Sequence, residues 1–371
     1  MKIKHLIVGA GLSGAVLAER IAHELKEPVV VIEKKNHIGG NCYDYRDHNG
    51  ICIHKYGPHI FHTKNKRVWD YLSDFTQWHP FFLKVEAFVD GRTIPLPFNL
   101  NSLYAVFPPS LARLYEEKLL QKVGFGNTIS ILELKQIQDP DLEKLSAYVY
   151  ENVCLHYYKK QWGMTPEELD PSVAKRVPVC ISKDDRYFHD PYQGIPLQGY
   201  TRMIERILDN PLIDVRLNTP FDKQSFEYEN LYYTGPIDAF FDYELGELPY
   251  RSLTFDIREM ETPQFQPVAV VSYPTNYDFT RICEHKHFLN DVSDKTVVSF
   301  EYPAAFERGK NERYYPIPQE KNQALYNKYI EKAKKFKNIH FLGRLGDYKY
   351  YNMDLAVNRV LTFFEEQYGK N

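Results

Sequence analysis

Apolar residues along the chain fall into three patterns, and each predicts a different element. The short apolar run His5-Leu6-Ile7-Val8 reads as a buried strand that enters a tight turn at Gly9-Ala10-Gly11-Leu12-Ser13-Gly14. Ala15 to Leu25, rich in Ala, Leu and Glu, predicts a helix, and Val29-Val30-Val31-Ile32 a second buried strand ending at Glu33. Between residues 83 and 98, two strand-like arms flank Asp90-Gly91, a hairpin signal. The pattern then turns helical. Ser110, after Pro108-Pro109, is expected to cap a helix running through Leu111, Leu114, Leu119 and Leu120 to Gly124. Asp139-Pro140 supplies an N-cap and first-turn proline for another, with Leu142, Leu145 and Val149 at helical spacing. From Tyr250 to Tyr302 the period drops to two. Leu253, Phe255 and Ile257 alternate with Ser252, Thr254 and Asp256, and Val298, Phe300 and Tyr302 with Ser299 and Glu301, which predicts antiparallel strands with one solvated face. A strand at Ile339-His340-Phe341-Leu342, a turn at Gly343-Arg344 and a helix from Asp354, with Leu355, Val360, Leu361 and Phe364 inward, complete the chain.

Composition narrows function more than fold. The 371 residues carry 46 basic and 49 acidic side chains, a net charge of -3, so nothing steers the chain toward nucleic acid or an anionic membrane. No apolar run approaches the ~20 residues that span a bilayer. The cysteines Cys42, Cys52, Cys154, Cys180 and Cys283 form no CxxC pair, which argues for reduced thiols in a cytoplasmic protein and against a zinc site. Met1-Lys2-Ile3-Lys4 leads into the first strand without a signal-peptide core. The unusual feature is 29 tyrosines, whose rings suit a half-wet cleft as well as a core.

Gly9, Gly11 and Gly14 form a GxGxxG motif between strand and helix. Gly9 permits the turn, Gly11 lets a pyrophosphate approach the backbone, and Gly14 lets the helix pack close. Ser13 belongs to the same turn, and the helix N-terminus attracts phosphate. Glu33, about 20 residues on, suits a free ribose hydroxyl, hence FAD or NAD rather than NADP. The segment Glu33-Lys34-Lys35-Asn36-His37-Ile38-Gly39-Gly40-Asn41 resembles the second glycine pair of FAD-binding proteins of the glutathione-reductase superfamily. It adds Lys34, Gly40 and Asn41 to the cofactor side. No second GxGxxG follows, so a nicotinamide domain is missing and any reductant binds transiently. The expectation is a flavoprotein that holds FAD throughout turnover.

Other constellations surround that expectation. In Tyr56-Gly57-Pro58-His59-Ile60-Phe61-His62-Thr63, His59 and His62 lack a third metal ligand and are either core groups or neighbours of the isoalloxazine. His285 and His287 alternate on a strand, with Glu284 pointing the other way, and read as structural. No GxSxG elbow supports Ser-His-Asp hydrolysis. Tyr157, Trp162, Arg176 in a proline-punctuated loop, Tyr187, Arg251, Arg281, Tyr314-Tyr315 and Tyr350 together suggest a diphosphate clamp. Guanidinium forks match phosphate oxygens and phenols donate to them, while Tyr157 or Trp162 offers a flat ring to a base.

Taken together, the GxGxxG turn, His37 to Asn41, Tyr56 to Thr63, Lys159 to Gly163, Tyr233 to Tyr243, Leu248 to Leu253, Thr280 to Phe288 and Gly343 to Asp354 resemble bacterial UDP-galactopyranose mutases, essentially end to end. The resemblance implies an α/β fold with three parts. A discontinuous Rossmann-like FAD-binding domain takes residues 1–82, 196–240 and 335–371, and an inserted helical domain takes 98–170. An antiparallel β-sheet domain for the substrate takes 83–97, 171–195 and 241–334, with a mobile loop near 171–183. It also implies an isomerase that interconverts UDP-galactopyranose and UDP-galactofuranose through a covalent adduct between reduced FAD and the sugar, with no net redox change.

By the same resemblance, Arg176 and Arg281 bind the diphosphate and, with His62, act in catalysis. Tyr157 and Trp162 contact uridine, and Tyr187, Tyr350 and one of Tyr314 or Tyr315 (the register favours Tyr315) donate to phosphate. Arg344 and the Met353 backbone face the flavin, with His59 and His62 on its other side, and Arg251 is a secondary phosphate or subunit contact. A homodimer reduced by NAD(P)H or a reductase is implied, with a product used in cell-surface polysaccharide. One position departs: Asn352 stands where family members often have Asp, which leaves the sugar and nucleotide open to UDP-N-acetylgalactosamine or dTDP-fucose. The rival class is an FAD-dependent oxidoreductase of the amine-oxidase kind, which needs an apolar or amine-accepting pocket. A non-catalytic binder resembling GDP-dissociation inhibitors needs no flavin.

Overall fold

The computed structural model describes residues 2–369. Its first strand, Ile3–Val8, lies in a five-stranded parallel sheet ordered Ile213–Arg216, Val29–Ile32, Ile3–Val8, Tyr228–Tyr233 and Ile339–Phe341. Strands from separated parts of the sequence thus form one sheet, buried on both sides as parallel sheets require. Ile7, Val29 and Val31 meet the helices Leu12–Arg20, Tyr200–Leu208 and Met353–Tyr368. Leu6, Ile32, Leu231 and Tyr233 meet the helices Ile237–Phe240 and Glu320–Ala333 on the other side.

The glycines explain how helix and strand join so closely. Gly9 turns with φ of 106°, and a Cβ on Gly14 would stand 1.9 Å from the Gly9 carbonyl oxygen. The second glycine pair closes on the first: the Gly39 N–H donates to the Ala10 carbonyl at 2.8 Å, and Gly40 lies against the Gly11 Cα.

A seven-stranded sheet forms the second layer, in the order Tyr315–Pro316, Tyr250–Met260, Thr296–Ala305, Arg281–Glu284, Val270–Ser272, Val85–Val89 and Arg92–Leu96. Its pairs are antiparallel except Val270–Ser272 with Val85–Val89, and the hairpin turns at Asp90-Gly91. In Thr296–Ala305 the first four residues are all buried, and from Ser299 onward the alternation appears with its sides reversed. Ser299 and Glu301 are buried at 2% exposure each, whereas Phe300 and Tyr302 are half-buried. The register aligns Glu301 with both Arg281 and Phe255, so the buried side receives a guanidinium and needs its counter-charge.

A helical layer runs from Leu100–Val106 through Pro109–Lys122 and Pro140–Val149 to His156–Trp162, which stops at Gly163 in the left-handed region. Asp139 caps its helix as expected, accepting from the amides of Asp141 and Leu142. Ser110 does not cap the earlier one. Pro109 occupies the first turn instead, where its missing N–H costs nothing. Three further expectations are corrected. His285–His287 is a 3-10 turn, which brings His287 within 3.2 Å of the Glu284 carboxylate. Gly343–Gly346 is a short helix rather than a simple turn, and Leu355 is 47% exposed at the outer side of its helix.

Two buried imidazoles tie the layers together. The His54 N–H donates to His285 Nδ1 at 3.2 Å, and the His59 N–H donates to His54 Nδ1 at 3.1 Å. Each ring must therefore stay neutral, with Nδ1 as acceptor. Asp44, Cys52 and His54 lie close enough to hold a cation, but the Asp44 carboxylate and one nitrogen of His54 are already engaged within the fold. The Asp44 carboxylate accepts from the Tyr200 and Thr201 amides at 2.6 and 2.9 Å, and His54 Nδ1 is occupied.

Burial lowers His54 well below the usual imidazole range and His285 to about 4. The unfolded chain, with ordinary imidazoles near 6.5, then binds more protons below neutrality, so stability is lost as pH falls through that window. His287, raised by its hydrogen bond to Glu284, works in the opposite sense. Urea midpoints at pH 7.5 and 5.5 should show a loss of about 1.4 kcal/mol for each lowered imidazole, less the His287 contribution. A midpoint unchanged by pH would contradict the relay.

Candidate functional site

A cavity of about 620 Å³ opens between the two sheets and the helical layer. Each wall brings a different part of the chain. Pro58 to His62 come from beside the parallel sheet, Tyr157 and Trp162 from the helix His156–Trp162, and Arg176 from the loop that follows. Tyr187 and Phe188 close one side, Arg281 projects from the seven-stranded sheet, and Tyr315, Arg344, Tyr350, Asn352 and Met353 form the remaining wall. Twelve of the candidates named from the sequence thus meet in one cavity: His59, His62, Tyr157, Trp162, Arg176, Tyr187, Arg281, Tyr315, Arg344, Tyr350, Asn352 and Met353.

The arginines are anchored before any ligand arrives. Arg281 donates from Nε to Glu301 Oε2 at 2.8 Å, with Nη2 at the same distance from that oxygen. Arg344 donates to the carbonyls of Tyr314 and Tyr351 at 3.2 and 3.3 Å. Arg176 reaches across the mouth, donating to Tyr350 O at 2.8 Å and Asn352 Oδ1 at 3.2 Å, with its guanidinium 3.8 Å from the Tyr350 ring centre.

The two imidazoles are prepared differently. His59 Nδ1 donates to the Gly57 carbonyl at 2.8 Å, and burial lowers the ring to about 4, so it stays neutral with Nε2 as acceptor. His62 sits 2.5 Å from the Asp190 carboxylate and lies flat on Phe188, with ring centres 3.6 Å apart. Burial also raises the phenols of Tyr157 and Tyr315, and pushes Tyr187 up to about 12, so each remains a hydrogen-bond donor at neutral pH.

Two candidates lie elsewhere. Tyr314 is 4% exposed and packs beside Phe255 behind its neighbour, because consecutive residues point to opposite sides of an extended segment. Arg251 is turned away from the cavity and corrects its expected role. Its guanidinium is buried against the end of the helix His156–Trp162, donating to Gln161 O at 2.7 Å and Lys160 O at 2.8 Å. It satisfies carbonyls that the helix leaves open, and so holds Trp162 in place.

The nucleotide-binding candidates form a separate group at the ends of the parallel strands: Gly9, Gly11, Ser13, Gly14, Glu33, Gly40 and Asn41. Glu33 Oε2 accepts from the Ala10 amide at 3.0 Å and Oε1 from the Lys35 amide at 2.9 Å. Lys34 is exposed and pairs with Glu312 at 3.3 Å. The helix Leu12–Arg20 starts at Gly11 without a side-chain cap, so its first amides are available to a ligand. Glu301, Asp190 and Phe188 escaped the sequence reading, since each acts on a residue distant in the chain.

Comparison with known proteins agrees with this geometry. A family profile described as UDP-galactopyranose mutase matches residues 152–350, and one described as NAD(P)-binding Rossmann-like domain matches 7–75. A probable UDP-galactopyranose mutase of Klebsiella pneumoniae is 39% identical over 366 residues, covering 97% of this chain and 94% of the relative. A dTDP-fucopyranose mutase of Escherichia coli is 35% identical, covering 96% of each. A crystal structure of reduced UDP-galactopyranose mutase shares the fold, with a TM-score of 0.74, 16% identity and coverage of 100% and 94%. No helix among the described residues is long and apolar enough to cross a membrane. On sequence identity across nearly its whole length, and on a profile spanning more than half of it, the chain belongs to the UDP-galactopyranose mutase family of isomerases.

Proposed function

We propose that the protein interconverts UDP-galactopyranose and UDP-galactofuranose with bound FAD kept reduced. The observation that carries this reading is the charge balance of the cavity. Three guanidinium groups, of Arg176, Arg281 and Arg344, line the cavity, while its carboxylates are already engaged, Glu301 with Arg281 and Asp190 with His62, which leaves an excess of positive charge suited to a nucleoside diphosphate ester. A cationic amine would be repelled there, which weighs against the amine-oxidase class.

The residues fit FAD. The uncapped amides at Gly11 would take the pyrophosphate, Gly40 leaves room for its approach, and Glu33 has lone pairs for a ribose. Arg344, Met353 and His59 would then border the flavin ring. When bound and reduced, the flavin supplies the nucleophile for the anomeric carbon. Arg281 and Arg176 hold UDP in place while it is detached from the sugar, so the same molecule can return. Tyr187, Tyr315 and Tyr350 donate to the phosphates, and neutral His59 accepts a proton-bearing group at Nε2. Without a second dinucleotide fingerprint, electrons come from NAD(P)H or a reductase that binds only transiently.

One observation supports a second substrate of the same chemistry. Asn352 meets Arg176 with a neutral amide, and a relative of comparable identity is named for dTDP-fucopyranose.

Chromatography of UDP-galactofuranose incubated with and without dithionite tests the reading: UDP-galactopyranose should form only with reduced protein. Equal turnover with oxidised flavin, or a stronger rate on dTDP-fucose, would displace it. Arg176→Ala and Arg281→Ala should each lower turnover roughly 100-fold or more while flavin absorbance is retained. Near-normal turnover in either variant would remove that arginine from the diphosphate site.

A further inference from the structure

Glu301 occupies an expensive position. It is 2% exposed near the middle of a sheet strand, its Oε1 is buried without a hydrogen-bond partner, and its Oε2 is shared by Nε and Nη2 of Arg281. Strand pairing sets Glu301 directly opposite Arg281 on one side and Phe255 on the other. A buried ion pair of this kind contributes little stability over an apolar pair of similar size, so stability alone does not account for the carboxylate. Arg281 is the cation it serves, and Arg281 is 25% exposed toward the cavity.

The geometry points to Glu301 as a positioning residue: by holding the Nε–Nη2 edge of Arg281, it aims the free Nη1 end of the guanidinium at the substrate's diphosphate. This rests on the diphosphate reading of Arg281 given above. Positioning and bare charge have opposite consequences here. Removing a carboxylate makes the cavity more cationic, which by itself tightens an anion. Releasing Arg281 from its anchor lets it leave the productive direction, which weakens the anion.

UDP binding to the flavin-loaded protein separates these effects, measured by calorimetry on the wild type, Glu301→Gln, Arg281→Ala and the double variant. Positioning predicts that E301Q raises the Kd for UDP about tenfold in the wild-type background. In the R281A background the same change should leave Kd unchanged or lower it, because Glu301 there is only an unpaired carboxylate facing the phosphates. Glu301→Asp, which keeps the charge but shortens the reach, should weaken UDP as E301Q does, and tests the point if E301Q folds poorly. Equal weakening by E301Q in both backgrounds would assign Glu301 a structural role and overturn the inference, as would unchanged or tighter binding in the wild type. If R281A itself binds UDP as the wild type does, the diphosphate reading fails first and the inference falls with it.

Discussion

Several arginines cannot share a closed cavity unless each is anchored, because unpaired guanidinium groups repel one another and collapse onto the nearest acceptor. Much of the site's architecture follows from meeting that constraint. Arg344 and Arg251 are held by main-chain carbonyls, which bring partial charge but no net charge. Arg176 is held by a carbonyl, an amide oxygen and an aromatic ring. Only Arg281 is held by a carboxylate. The cavity therefore keeps a net positive charge while none of its cations is left without a partner. A chain with an overall charge of -3 can carry such a site because the excess is local.

The anchors also explain why the surrounding elements end where they do. The helix His156–Trp162 stops at Gly163, and Arg251 satisfies the carbonyls exposed by that stop. Tyr314 and Tyr351 lend their carbonyls to Arg344, so the backbone next to Tyr315 and next to Tyr350 is fixed by one guanidinium. The His59–His54–His285 chain performs the same task on the opposite wall, where neutral rings pass backbone hydrogen bonds from the cavity to the sheet. Acid would turn each acceptor in that chain into a donor.

Much of this was legible in the sequence where the signal is local. The glycine spacing, the apolar strand before it and Glu33 after it are interpretable within one βαβ unit. So are Asp90-Gly91 and Asp139-Pro140, whose side chains and φ preferences act on immediate neighbours. Period-two alternation likewise located the long antiparallel strands. It could not say which side of Thr296–Ala305 was buried, because that depends on Arg281 arriving from another strand. Arg251 shows the same limit. A guanidinium that closes a helix and one that grips a phosphate look alike in sequence, and its partner Gln161 lies 90 residues away. Leu355 is a single-residue error of facing, where the element was right and its rotation was not.

The anchoring further divides the two proposed phosphate-binding arginines by how freely each can move. Arg281 has a charge-assisted bond to a buried carboxylate on a sheet, the kind of bond that is stronger than a neutral one and rigidly placed. Arg176 sits on a loop, and its hydrogen bonds are to exposed neutral oxygens, each contributing about 1 kcal/mol or less. An arriving diphosphate would, on the proposed reading, outcompete those neutral acceptors but not Glu301. On the proposed reading, the ligand would thus draw Arg176 from Tyr350 and Asn352 toward itself while Arg281 waits in a fixed direction. On that reading, the arginine that must stay in place is tied to a buried carboxylate, and the loop arginine is held by neutral acceptors so that it can move.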